Sequence, residues 1–201
     1  MAEERSNAAS DPKAEAVFKR DLVALIPHLR AFARTLAGDP ASADDLAQDA
    51  MMKAWDARGS YQMGTNMKAW TFMILRNQFY SEKRRSWRQS QLDQEAAERT
   101  LVAVDDPESP VALDELRLAL ATLPEEQREA LILVGAGGFA YEEAAEICQC
   151  AVGTVKSRVS RARKALQATL EKGGYARDGR AAGDAMRSIL AAADRLSSVR
   201  D

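Results

Sequence analysis

The stretch from Tyr141 to Leu166 limits the possible folds more than any other part of the chain. A short helical pattern at Tyr141–Ile147 runs into Cys148–Ala151, and a second helix starts at about Val152. Two helices joined by so short a turn form a helix-turn-helix. Val152, Val155, Val159, Ala162 and Leu166 fall within roughly 80° of one another on a wheel of 3.6 residues per turn. The opposite face carries Ser157, Ser160, Arg161 and Lys164, with Thr154 and Lys156 on its flanks. A helix that buries one face and presents cations and hydroxyls on the other suits the major groove of DNA. Arg163 sits at the edge of the apolar stripe, where it snorkels or pairs with a carboxylate rather than reading DNA.

Helical spacing governs the rest of the chain as well, and no strand pattern or internal repeat is present, so the expected fold is all-α. Phe18, Leu22, Leu25 and Ile26, then Leu29, Phe32, Ala33 and Leu36, mark a helical run from Lys13 with a restart at Pro27. Gly38 and Asp39-Pro40 end it, and Ser42 with Asp45 is read as the start of the next helix, running to about Ala57. A loop at 59–66 precedes a long helix at 67–88. Leu123-Pro124 breaks the chain again, with Pro124 in a first-turn position. A helix covers Glu125–Val134, and Gly135–Gly138 makes a turn. The expected organisation is a polar N-terminus at 1–12, a helical domain at 13–88, an acidic flexible linker at 89–110, a second helical domain at 111–172, and a tail at 173–201. In that tail Met186, Ile189, Leu190, Ala193 and Leu196 recur at helix spacing. A docking amphipathic helix and a disordered segment both fit them.

A net charge of −2 argues against a nucleic-acid binder only until the distribution is read. Acidic residues gather at 44–49, 93–98 and 105–115, and basic residues at 83–88 and 156–164. Such a chain can meet both DNA and a basic protein. Two cysteines one residue apart and a single histidine build no disulfide framework, metal site or catalytic dyad, so no cofactor and no enzymatic activity are expected. The glycine run follows a helix rather than a strand, which sets aside a phosphate loop. No signal peptide and no membrane-spanning run is read, and a cytoplasmic location is expected.

FAYEEAAEICQCAVGTVKSRVSRARKAL resembles region 4 of the extracytoplasmic-function sigma factors of the sigma-70 family, and LPEEQREALIL resembles the helix before it. The resemblance implies that the second helix reads the −35 promoter element, through Thr154, Lys156, Ser157, Ser160, Arg161 and Lys164. Gln149 stands where many relatives have Gly, and Ala151 where many have Pro. A left-handed backbone at Gln149 costs on the order of 1 kcal/mol.

In the first half, Leu46, Ala47, Ala50, Met51, Ala54 and Trp55 share a helix face, and Asp45, Gln48, Asp49, Met52 and Asp56 share the other. From this helix alone, a solvated acidic face and a dock for a basic partner are both open. ADDLAQDAMMKAW, however, resembles sigma region 2.2. The resemblance implies that Asp45, Gln48, Asp49 and Met52 bind the β′ clamp helices of core RNA polymerase. GSYQMGTNMKAWTFMILRNQFYSEKRRSWR resembles regions 2.3 and 2.4, which open the −10 element. It implies base contacts for Asn66 and Asn77, and phosphate contacts for Arg76, Lys83, Arg84 and Arg85. Trp70, Phe72, Ile74 and Phe79 are read as core, while Tyr80 and Trp87 fit either core or stacking roles.

HLRAFARTLAGD and FMILRNQFYSEKRR are most similar to the EcfG-type general stress response subgroup. That resemblance implies a GGAAC-type −35 element and restraint by an anti-sigma factor of NepR type. Two other readings share parts of the pattern. A stand-alone helix-turn-helix regulator leaves 42–88 unexplained. A sigma-like decoy that titrates an anti-sigma factor has no need of the basic face on the second helix.

Overall fold

The computed structural model describes residues 12–37, 39–92 and 118–171. Every described element is helical. The chain divides between Thr100 and Leu101 into two compact units. The long helix expected at 67–88 continues to Leu92, so the first four residues of the linker expected at 89–110 are helical. The rest of that linker, the tail and residues 1–11 lie outside the described residues.

The N-terminal unit holds α1 (Pro12–Ala24), α2 (Ile26–Ala37), α3 (Pro40–Asp56), a 3-10 turn at Arg58–Ser60 and α4 (Met67–Leu92). Pro27 has no N–H to donate, and the chain turns at Leu25 before restarting as α2. The start of α3 differs from the expected one. Asp39, not Ser42, is the N-cap: its Oδ1 accepts the Ser42 N–H at 2.9 Å, and Pro40 takes the first turn, where its fixed φ suits the helix and its missing N–H costs nothing. The Asp39-Pro40 dipeptide that ends one helix therefore also opens the next.

The Ser42 hydrogen bonds hold the Asp39 carboxyl below its ordinary value. A depressed folded-state pKa gives stability that is present above the unfolded value and is lost as pH falls through the folded one. Asp39→Ala should destabilise the unit by about 1 kcal/mol at neutral pH. Thermal melts of both proteins, taken down to strongly acid pH, should show the gap between them closing.

α2, α3 and α4 pack on one another, and α1 lies on α2. The core is built from Leu29, Phe32, Ala33, Leu36, Leu46, Ala50, Ala54, Phe72 and Leu75, all buried. Phe32 stacks on Phe72 with ring centroids 4.8 Å apart. A second cluster forms around Phe18 of α1, whose ring meets Trp55 of α3, Tyr61 of the loop and Trp70 of α4 at 6.2, 5.6 and 6.2 Å.

The C-terminal unit holds a helical stretch at 118–121, α5 (Glu125–Gly135), α6 (Tyr141–Cys148) and α7 (Val152–Glu171). α7 packs on both α5 and α6. Pro124 is the N-cap of α5 rather than its first residue. The glycines after α5 make the expected turn. A Cβ on Gly137 would lie 2.6 Å from the Leu133 carbonyl and 2.9 Å from the Phe139 ring, and Gly138 has φ +71°. Only glycine serves at such a pair.

Candidate nucleic-acid and protein interfaces

The turn between α6 and α7 sets the second helix at its angle. α6 closes in a Schellman motif: the Cys150 N–H donates to the Ala145 carbonyl at 3.1 Å and the Gln149 N–H to that of Glu146 at 3.2 Å. Gln149 is left-handed, at φ 52°, ψ 47°. Gln149→Gly should therefore stabilise the protein by about 1 kcal/mol. A rise of several degrees in the melting of the helix-turn-helix checks it, and an unchanged transition counts against strain at this residue. At the other end of α6, Glu143 Oε2 accepts the Ala140 N–H at 2.9 Å, the half of a capping box that an alanine N-cap leaves available.

On α7, Val155, Val159, Ala162 and Leu166 are 0–1% exposed, while Val152 is half-buried. On the other side, Lys156, Ser160, Arg161 and Lys164 are exposed, and Thr154 and Ser157 are half-buried. The Ser157 hydroxyl donates to the Thr154 carbonyl at 2.9 Å, which leaves its oxygen as an acceptor. Lys156 Nζ lies 5.7 Å from the centre of the Tyr141 ring at the flank of this face. Arg163 is half-buried at the stripe's edge. Sequence reasoning passed over Arg158, whose guanidinium pairs with Glu126 of α5 and approaches Cys150 Sγ at 3.6 Å. One cation of the basic run is thus a latch between α7 and α5. Its partner lies 32 residues away, and no local pattern marks it.

In the N-terminal unit, the loop after α3 is anchored at its base and open at its tip. Tyr61 is half-buried in the Phe18 cluster, and its hydroxyl donates to the Thr65 carbonyl at 2.6 Å. Arg58 lies 4.7 Å over the Trp55 ring and donates to the Trp55 carbonyl. Gln62 to Asn66 are exposed. The Asn66 side chain accepts the Ala69 N–H at 3.0 Å, so this residue serves as the cap of α4. The loop meets α4 through it.

Along α4, Asn77 is exposed, and Arg76 is half-buried over the Tyr80 ring at 4.5 Å. Residues 81–89 are exposed on every side of the helix. This stretch presents Lys83, Arg84, Arg85 and Arg88, together with Trp87, which is 62% exposed. Phe72 is buried in the core, Trp70 and Ile74 are half-buried against the Phe18 cluster, and Phe79 is half-buried with its ring 5.2 Å from that of Tyr80. Tyr80 is half-buried beneath Arg76, whereas Trp87 has no place in the core.

The acidic face of α3 has the burial pattern that its wheel requires. Leu46, Ala47, Ala50 and Ala54 are buried, while Asp45, Gln48, Asp49, Met52 and Asp56 are exposed, Met52 at 58%. A groove lined by Ile26, Leu29, Ala47 and Met51 borders Gln48 and is edged by an Arg30–Asp44 ion pair at 3.1 Å. A further interaction, which no sequence pattern announces, joins α3 to α4. The amide of Gln78, itself buried, donates to Asp49 Oδ2 at 3.1 Å and to Glu82, and accepts from Lys53. The available signal was a glutamine sharing the Leu75 face of α4 three residues on.

Of two helical units, one carries a basic helix-turn-helix and the other an acidic helix beside a basic, aromatic one, surfaces of a charge and shape suited to DNA and to a protein partner. Known proteins give this arrangement its family. The sigma-70 region 2 profile matches residues 22–89, and that of sigma-70, region 4, matches 113–166. The ECF RNA polymerase sigma factor EcfG of Rhodopseudomonas palustris is 48% identical over 150 residues, covering 75% of this chain and 83% of that protein. The RNA polymerase sigma-H factor of Pseudomonas aeruginosa is 33% identical over 146 residues, 66% of this chain and 75% of its own length. Among solved structures, the sigma factor RpoE of Bartonella quintana, in complex with the anti-sigma factor NepR, matches with a TM-score of 0.70 and 46% identity over 77% of this chain and 97% of that one. This chain belongs to the extracytoplasmic-function sigma factors of the sigma-70 family.

Proposed function

We propose that this chain is the sigma subunit that binds core RNA polymerase and directs promoter recognition and DNA melting, for general stress response genes under anti-sigma control. The observation that carries the reading is α7. Four residues of its inner face are sealed in the core, and its outer face keeps Lys156, Ser160, Arg161 and Lys164 exposed. Thr154 and Ser157 flank them for the −35 duplex. In the N-terminal unit, Asn66 and Asn77 take base roles at the −10 element, and Arg76, Lys83, Arg84 and Arg85 neutralise phosphates there. Asp45, Gln48, Asp49 and Met52 face the polymerase β′ clamp helices. The chain itself catalyses nothing, since nucleotide addition belongs to the polymerase. It works in the cytoplasm, where polymerase and promoter are, and among the described residues no helix is long and apolar enough to cross a membrane. The partner of Bartonella quintana RpoE supplies the kind of restraint: an anti-sigma factor of NepR type.

Run-off transcription with purified core polymerase, on a template with a GGAAC-type −35 element, tests the whole reading. A transcript that depends on this protein supports it. Duplex binding without transcription would favour a stand-alone regulator, and anti-sigma binding without transcription would favour a decoy. Asp49→Lys should weaken binding to core polymerase by charge reversal, because a like charge set against a basic surface opposes docking. Titration of labelled protein with core polymerase reads this, and equal affinities would count against the acidic face as the dock.

A further inference from the structure

We infer that Gln78 is a positioning residue for polymerase binding, holding the Asp49 carboxylate in the geometry in which it docks; this rests on the assignment of Asp49 to the polymerase face. Gln78 is 8% exposed, and its amide spans the seam between α3 and α4. A carboxamide offers two donor hydrogens and one acceptor oxygen. Both kinds of group are engaged: the nitrogen donates to Asp49 Oδ2 at 3.1 Å and to Glu82 Oε1, and the oxygen accepts from Lys53 Nζ. The buried amide is therefore satisfied by three charged partners, two on α3 and one on α4. A glutamine that only filled the seam needs no such set, and leucine has nearly its volume.

The consequence falls on Asp49. It is exposed, on a face with Asp45, Gln48 and Met52. An exposed aspartate samples several rotamers and loses that freedom when it docks. The Gln78 bond removes part of the cost beforehand. It occupies one lone pair of one oxygen, and a carboxylate has about four acceptor sites, so a cationic partner is still accommodated. Lys53 and Glu82 offset one another, so the cluster keeps the single negative charge that Asp49 presents.

The test is a double-mutant cycle on the full chain, read as affinity for core polymerase. Asp49→Asn is expected to weaken binding by about tenfold, the scale of one hydrogen bond to a charged group, and Gln78→Leu by about threefold, part of the cost of ordering one interface side chain. The double variant should be no weaker than Asp49→Asn alone, whereas Gln78→Leu and Met52→Ala should act additively. A seam residue with a purely structural role would not couple selectively to Asp49. Gln78→Met, which repacks readily, repeats the cycle if the leucine variant melts early. If Asp49→Asn weakens binding but Gln78→Leu and Gln78→Met do not, or if the effects of Asp49 and Gln78 simply multiply, the positioning role is overturned and the polymerase face stands. If Asp49→Asn has no effect, the assignment of Asp49 fails and the positioning role goes with it.

Discussion

Phe18→Ala is expected to lower the stability of the N-terminal unit by about 3–5 kcal/mol, the range for removing a buried phenylalanine ring. Phe18 is 3% exposed and touches three other rings, each from a different part of the unit: Trp55 of α3, Tyr61 of the loop and Trp70 of α4. The ring is the only α1 contribution to that cluster besides Leu22 among its fully buried members. Domains have about 5–15 kcal/mol in total, so the loss is a large share. The loop should suffer beyond this, because Tyr61 holds it to the core and Tyr61 leans on Phe18. The variant should therefore fail to open promoters at temperatures where its helix-turn-helix still binds a −35 duplex. Denaturant titration gives the stability, and permanganate reactivity of the −10 thymines gives opening. A stability change below about 1 kcal/mol, far under the cost of a ring-sized cavity, would mean that the Phe18 cluster does not hold this unit together.

The architecture was legible because helical periodicity is a local signal and the apolar stripes are long. The 152–166 stripe marks the inner face of α7, and the 46–55 stripe marks that of α3, without any knowledge of what lies against them. What escaped was mostly what depends on a distant partner. Arg158 belongs to a basic run and looks like its neighbours until Glu126 is brought beside it. Gln78 reads as one more polar residue until Asp49 and Lys53 arrive from α3. The Asp39 cap is a different case. Asp-Pro reads as a terminator and the Ser42 hydroxyl as the cap, whereas the Asp39 carboxylate reaches the Ser42 N–H and Pro40 fits the first turn. Asn66 shows a further kind of difficulty. Its side chain caps α4, a structural duty that any base contact at the same residue has to share. Trp87, which fits either core or a stacking role by sequence, loses the core alternative by burial alone, since a helix exposed on all sides from 81 to 89 has no core to offer it.

Arg161→Ala is expected to weaken promoter binding by about 1–3 kcal/mol, roughly fivefold to more than a hundredfold, while leaving the fold intact. Arg161 is exposed on α7, on the side away from Val155, Val159, Ala162 and Leu166. Alanine is a better helix former than arginine, so the helix is not the part that suffers. Binding of holoenzyme to promoter fragments across a range of salt concentrations separates two roles for this guanidinium. If it reads a base, its removal should relax preference at one position of the −35 element. If it neutralises a phosphate, its removal should weaken all sequences alike and lower the salt slope by about one. Arg158→Ala is the matched control, since its side chain pairs with Glu126 inside the unit and its removal should lower the melting temperature first. If Arg161→Ala leaves both affinity and salt slope unchanged, the outward face of α7 is not the reading surface there. If Arg158→Ala loses DNA binding with no change in melting, the division of the basic run into one latch and several readers is wrong.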